Sequence, residues 1–150
     1  MPTFAERGST EQIEEGPLLS PKFDANGLVT AVATDADTGE VLMVAFMNEE
    51  ALRQTIATRE AHFYSRSRKK QWKKGESSGH VLQVKQMLVD CDQDCVWMRV
   101  KVTNDGGACH VGYNSCFYRE VDLDNASEGP ATLKFTYDEK KYDPKQVYGK

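Results

Sequence analysis

From Leu28 to Val102 the chain alternates short β-prone runs with turn-forming breaks, and a single stretch inside it has helical spacing. Leu28 to Thr34 and Val41 to Met47 flank Asp35-Ala36-Asp37-Thr38-Gly39-Glu40, a loop of turn residues, so the three together predict a hairpin. Asn48 stands where a helix N-cap belongs, and Glu49 and Glu50 suit the positive end of the dipole. Ala51, Leu52, Thr55 and Ile56 recur at helical spacing, which predicts a helix from Asn48 to about Arg59. Its apolar stripe is narrow, as suits a helix lying on one face of a sheet. His62 to Ser65, Val81 to Val89 and Val96 to Val102 predict further strands. In the last, Val96, Met98, Val100 and Val102 alternate with Trp97, Arg99 and Lys101, a period of two with one buried face. Asn104 to Gly107 reads as a turn, Ser115 to Val121 as a final short strand, and Leu133 to Tyr137 as one more β-like piece in a polar tail. Residues 1 to 21 show no periodicity and read as a flexible leader, with order beginning near Phe23. The expectation is a β-rich α+β single domain with one main helix, occupying residues 22–121 between the leader and a C-terminal extension at 122–150.

Composition narrows the class. A chain of 150 residues can bury a core without disulfide staples. A net charge of -4 gives no general case for nucleic-acid binding. No apolar run is long enough to span a membrane, and the acidic N-terminus is no secretory signal. A reducing cytoplasm is the default, so the four cysteines (91, 95, 109 and 116), all within one short span, are read as ligands rather than disulfides.

Candidate chemistry concentrates in Asp90-Cys91-Asp92-Gln93-Asp94-Cys95. If this segment is extended, its three carboxylates face one way and its two thiols the other. Counting from Asp90 as a calcium EF-hand loop puts Cys95 at the glycine position and Lys101 at the glutamate position, so that reading fails. A solvated acidic turn is the plain alternative; beside clustered thiols, a hard-cation site such as magnesium fits the all-oxygen set better. Cys109 and Cys116 with Cys91 would supply three thiolates for zinc and leave an open fourth position, whereas all four cysteines would make a closed structural site. His110 could be a ligand, a base beside the metal or an ordinary polar residue. The basic run from Arg66 to Lys74, leading into Gly75-Glu76-Ser77-Ser78-Gly79, is either a solvated surface loop or a phosphate site of backbone amides, hydroxyls and cations. It does not match a Walker loop.

Taken in order, Arg66-Ser67-Arg68, Trp72 to Gly79, Asp90 to Asp94, Ala108-Cys109-His110-Val111-Gly112 and Ser115-Cys116-Phe117-Tyr118-Arg119 resemble the phosphoribosyl-AMP cyclohydrolase family of histidine biosynthesis. The resemblance runs from about Phe23 to Arg119. It implies an intertwined homodimer, zinc on Cys91, Cys109 and Cys116 with Cys91 from the other subunit, and magnesium on Asp90, Asp92 and Asp94. It implies further that zinc-activated water attacks C6 of the N1-phosphoribosylated adenine ring and that the N1–C6 bond is hydrolysed. His110 then carries the proton transfer, and Arg66, Arg68, Trp72, Lys74, Gly75, Glu76, Ser77 and Ser78 meet a phosphorylated nucleotide. Cys95 lies outside the pattern and reads as packed or spare. Two rival readings remain. A zinc deaminase attacks the same carbon but carries a His-x-Glu and Pro-Cys-x-x-Cys signature that this sequence lacks; a zinc-stabilised interaction module would have no turnover.

Overall fold

The computed structural model describes residues 1–76, 78–103, 114–125 and 129–136. Its centre is a four-stranded sheet built from β1 (Val29–Asp35), β2 (Val41–Met47), β5 (Leu82–Val89) and β6 (Cys95–Val102), in the order β2-β1-β6-β5. The hairpin partners β1 and β2 are antiparallel, as are β5 and β6, but the two hairpins join through a parallel ladder between β1 and β6. The alternation in β6 puts Val96, Met98 and Val100 on the inner face, where they meet Val29, Ala31 and Ala33 of β1 and Met43 and Met47 of β2.

That inner face is covered by α2 (Glu49–Thr58) and by β3 (His62–Ser65). Asn48 caps α2 by accepting the Ala51 backbone N–H at 2.9 Å, and Arg59 closes the helix in the left-handed region at φ 60°. Ala51 and Leu52 are completely buried. Thr55 ties the helix to the next strand: its hydroxyl donates to the Ala51 carbonyl and accepts the His62 N–H at 2.9 Å.

Three expectations change. Within the basic run, Lys70–Lys73 form a strand, β4, antiparallel to β3. Lys70 faces water and Lys73 pairs with Glu60 at 2.9 Å, while Trp72 packs tilted against the buried Phe63 with centroids 4.9 Å apart, and that contact outweighs the polar composition. The final strand is shorter than expected: Asn114 to Cys116 bend, and only β7 (Arg119–Val121) pairs, with β8 (Leu133–Phe135). The stretch expected to be a flexible leader contains α1 (Thr10–Glu15), which has a reciprocal cap between Ser9 and Gln12. It also returns to the domain, with Ser20 buried, Phe4 packed near Phe23, and Arg53 donating to the Pro2 carbonyl at 3.1 Å. The turn expected at 104–107 lies outside the described residues.

Candidate active site

The acidic segment is the loop joining β5 to β6, and it turns rather than runs extended. Gln93 takes a φ of 60°, the left-handed region, which costs a side chain other than glycine about 1–2 kcal/mol. Asp90 closes the turn. Its carbonyl accepts the Gln93 N–H at 3.0 Å, and its carboxylate Oδ1 accepts the N–H groups of Asp94 at 3.0 Å and Cys95 at 3.1 Å. The two-faced strand is therefore replaced by a reversal, and the reversal gathers the carboxylates: oxygens of Asp90, Asp92 and Asp94 all lie within 4.8 Å of one another.

Crowding marks their protonation. Burial works to raise the Asp90 pKa, but hydrogen bonds from the Asp94 carboxyl and from the Cys95 and Asp94 amides outweigh it and hold the group below its ordinary value. The Asp94 carboxyl is pushed up to about 6, first by its hydrogen bonds with Asp90 and Asp92 and then by burial and their negative charge. Three carboxylates gathered this closely are a charge arrangement that a divalent cation relieves.

The thiols divide. Cys91 stands exposed in the same turn. Cys95 begins β6, and burial with the Asp90 and Asp94 charges pushes its thiol up, a poor condition for a thiolate ligand. Cys116 is exposed at the far end of the sheet, where its N–H donates to the Leu42 carbonyl at 2.7 Å. Leu42 lies level with Ala33 and Thr34 of β1, whereas the Cys91 turn follows the end of the sheet where Thr30 meets Cys95. Leu42 and the start of β6 are thus three to four residues apart along the sheet and on strands separated by β1. Two thiolates on one zinc, each about 2.3 Å from the metal, stand within about 4 Å. Cys109 and His110 lie outside the described residues.

The basic elements divide between the two ends of the sheet: Arg66 stands near the acidic turn, whereas Lys74 and Gly75 lie beside Val81, where β5 begins. Arg66 lies over the Phe46 ring, 3.9 Å from its centroid, and Phe46, Thr30 and Cys95 form one row across the outer sheet face. Arg68 and Glu76 are exposed, Trp72 and Ser78 half-buried, and Ser77 is outside the described residues. Lys74 is only 7% exposed. Gly75 has a φ of +96°, and a Cβ there would meet the Val81 backbone at 2.7 Å, so only glycine makes this turn.

Two residues passed over in the sequence reading hold this loop. Thr103 accepts the Val81 N–H at 2.9 Å and donates to the Gly79 carbonyl at 3.0 Å. His80 is buried beside Lys74, and burial followed by that positive charge lowers its pKa below 6.5. The unfolded chain therefore binds this proton more readily. Its contribution to stability is complete above about pH 6.5 and is lost as the pH falls through the lowered folded value. Urea unfolding from pH 7.5 to 5 should show a steeper acid loss for the wild type than for His80→Gln; parallel curves would refute this. A histidine next to Gly79 after a basic run was the available signal.

Comparison with known proteins fits this arrangement. Residues 43–118 match the family model described as phosphoribosyl-AMP cyclohydrolase. The chain belongs to the phosphoribosyl-AMP cyclohydrolase family. It is 61% identical over 140 residues to the phosphoribosyl-AMP cyclohydrolase of Rhodopseudomonas palustris (strain TIE-1), covering 93% of this chain and 91% of that one. It is also 55% identical over 138 residues to the phosphoribosyl-AMP cyclohydrolase of Agrobacterium fabrum, covering 92% and 90%. Three features fall inside the family match: the β3–β4 ribbon, the acidic turn and Cys116.

Proposed function

We propose that the chain is a phosphoribosyl-AMP cyclohydrolase of histidine biosynthesis, working as a homodimer with zinc and magnesium. Beyond family membership, the convergence of Asp90, Asp92 and Asp94 in the turn that also carries Cys91 supports it most directly. Those carboxylates would hold magnesium. Cys91 of one subunit with Cys109 and Cys116 of the other would hold zinc, a division favoured by the separation of Cys91 from Cys116 within a chain. When bound, zinc would supply an acidified water for attack on C6 of the N1-substituted adenine.

The protein's own groups would do the rest. Arg66, Arg68, Lys74 and the amides and hydroxyls around Gly75 to Ser78 bind the substrate phosphates, and Trp72 gives the loop a rigid back. His110 moves the proton as the N1–C6 bond opens. The outer face of the sheet supports the dimer: Val44 and Trp97 are 43% and 44% exposed in a single chain and lie in one row through Val32. Thiol ligands also need a reducing compartment, which favours the cytoplasm. Among the described residues no helix is long and apolar enough to cross a membrane. Residues 22–121 form the catalytic body in this reading, with 122–150 an extension.

The test is turnover of phosphoribosyl-AMP by the purified dimer with its metal content measured in parallel. One water should be added and no ammonia released, and Cys109→Ser should lose zinc and activity together. Ammonia as a product would favour a deaminase, and full turnover without zinc would sink the mechanism.

A further inference from the structure

The N-terminal segment makes its closest polar contacts with one residue of the acidic turn. Gln93 stands between Asp92 and Asp94, yet its side chain points away from them and is only 5% exposed. Its Oε1 accepts the Ser20 N–H at 2.7 Å, and its Nε2 donates to the Ile13 carbonyl at 2.9 Å and the Leu18 carbonyl at 3.5 Å. Its own carbonyl accepts the Lys22 N–H at 2.7 Å. Four hydrogen bonds thus tie residues 13–22 to the one residue of the turn in the left-handed region. The far end of the segment is fixed independently, by Arg53 over the Phe4 ring and on the Pro2 carbonyl.

A turn needing a positive φ is ordinarily given glycine or asparagine. Glutamine has no such advantage, but its amide reaches far enough to pair with two separate stretches of backbone. The φ of Gln93 reverses the chain between Asp92 and Asp94 and so aims both at Asp90. Three mutually repelling carboxylates would splay if that residue were released.

We propose that residues 13–22 are a strap which, through Gln93, presets the acidic turn for its divalent cation, making Gln93 a positioning residue. This rests on the reading of Asp90, Asp92 and Asp94 as a cation site. The strap lowers the conformational freedom that the cation would otherwise have to remove, as partners of metal ligands commonly do.

The test uses the full-length, zinc-loaded protein and three variants. Gln93→Met keeps the length of the side chain and removes its hydrogen bonds. Gln93→Gly keeps the φ and removes the three side-chain contacts, leaving only the backbone bond from Lys22, so it serves if the methionine variant folds poorly. Asp92→Asn marks the loss of the site. Magnesium affinity is measured by titration calorimetry and the magnesium dependence of turnover alongside it. Both Gln93 variants should bind Mg2+ about tenfold more weakly with zinc content unchanged, and saturating Mg2+ should restore their kcat. Wild-type affinity in both variants would overturn the strap while leaving the cation site standing. A wild type that binds no Mg2+, like Asp92→Asn, would overturn the cation site and the strap together.

Discussion

Mixing Cys91→Ser chains with Cys116→Ser chains is expected to return about a quarter of wild-type turnover from two preparations that are each inactive alone. In a symmetric dimer with shared sites, random re-association makes about half the dimers mixed, and each mixed dimer has one intact and one doubly broken site. Strand register separates the two thiols. Leu42, which receives the Cys116 amide, and the turn bearing Cys91 occupy opposite ends of the sheet. The chains should be co-refolded with zinc and assayed against each variant alone. Mixtures as inactive as their components would rule out a site divided in this way, and so would full activity of Cys91→Ser by itself.

Phe63→Ala should cost about 3–5 kcal/mol, a large part of the stability of an ordinary domain. Phe63 is fully buried where α2, β3 and the sheet meet, and its ring faces Trp72, its register partner in β4. Removing it leaves a void and takes away the surface on which Trp72 rests. For a chain of this size the melting temperature should fall by about 10 °C or more. Below that temperature the variant should retain zinc but show a raised KM for phosphoribosyl-AMP, since Trp72 leads directly into Lys74 and Gly75. A scanning calorimetry shift of only a degree or two would mean that Trp72 and its neighbours close the gap.

How much of this was legible beforehand depended on whether a contact leaves a periodic trace. Helix α2 was readable because Asn48 and the Ala51, Leu52 and Thr55 stripe sit at fixed offsets, and β6 because its valines alternate with polar residues. Strand β4 was hidden, since three of its four residues are polar and only Trp72 faces inward. The parallel pairing of β1 with β6 leaves no mark in either strand alone. The carboxylate cluster is legible from its spacing whether the segment runs extended or turns; only the structure decides between the two, with Asp90 and Gln93 making a turn. The N-terminal segment was missed because main-chain groups hold it to Gln93, and these are the same in every sequence. Its one local clue was the Ser9 and Gln12 pair that caps α1.

The parallel ladder at the centre of the sheet has a consequence for the order of assembly. Thr30 lies beside Cys95, yet all of β2, α2, β3, β4 and β5 come between them in the chain. Such a pairing must pay for closing a long loop before any contact repays it, so it forms late and slowly. During synthesis the β1–β2 hairpin and α2 can gather as soon as they emerge, but β1 has no second neighbour until β6 has left the ribosome. The acidic turn lies directly before β6. The end of the sheet that carries the turn is therefore among the last parts of the domain to close, and a nascent chain halted short of Val102 should expose the edge of β1 for other chains to pair with.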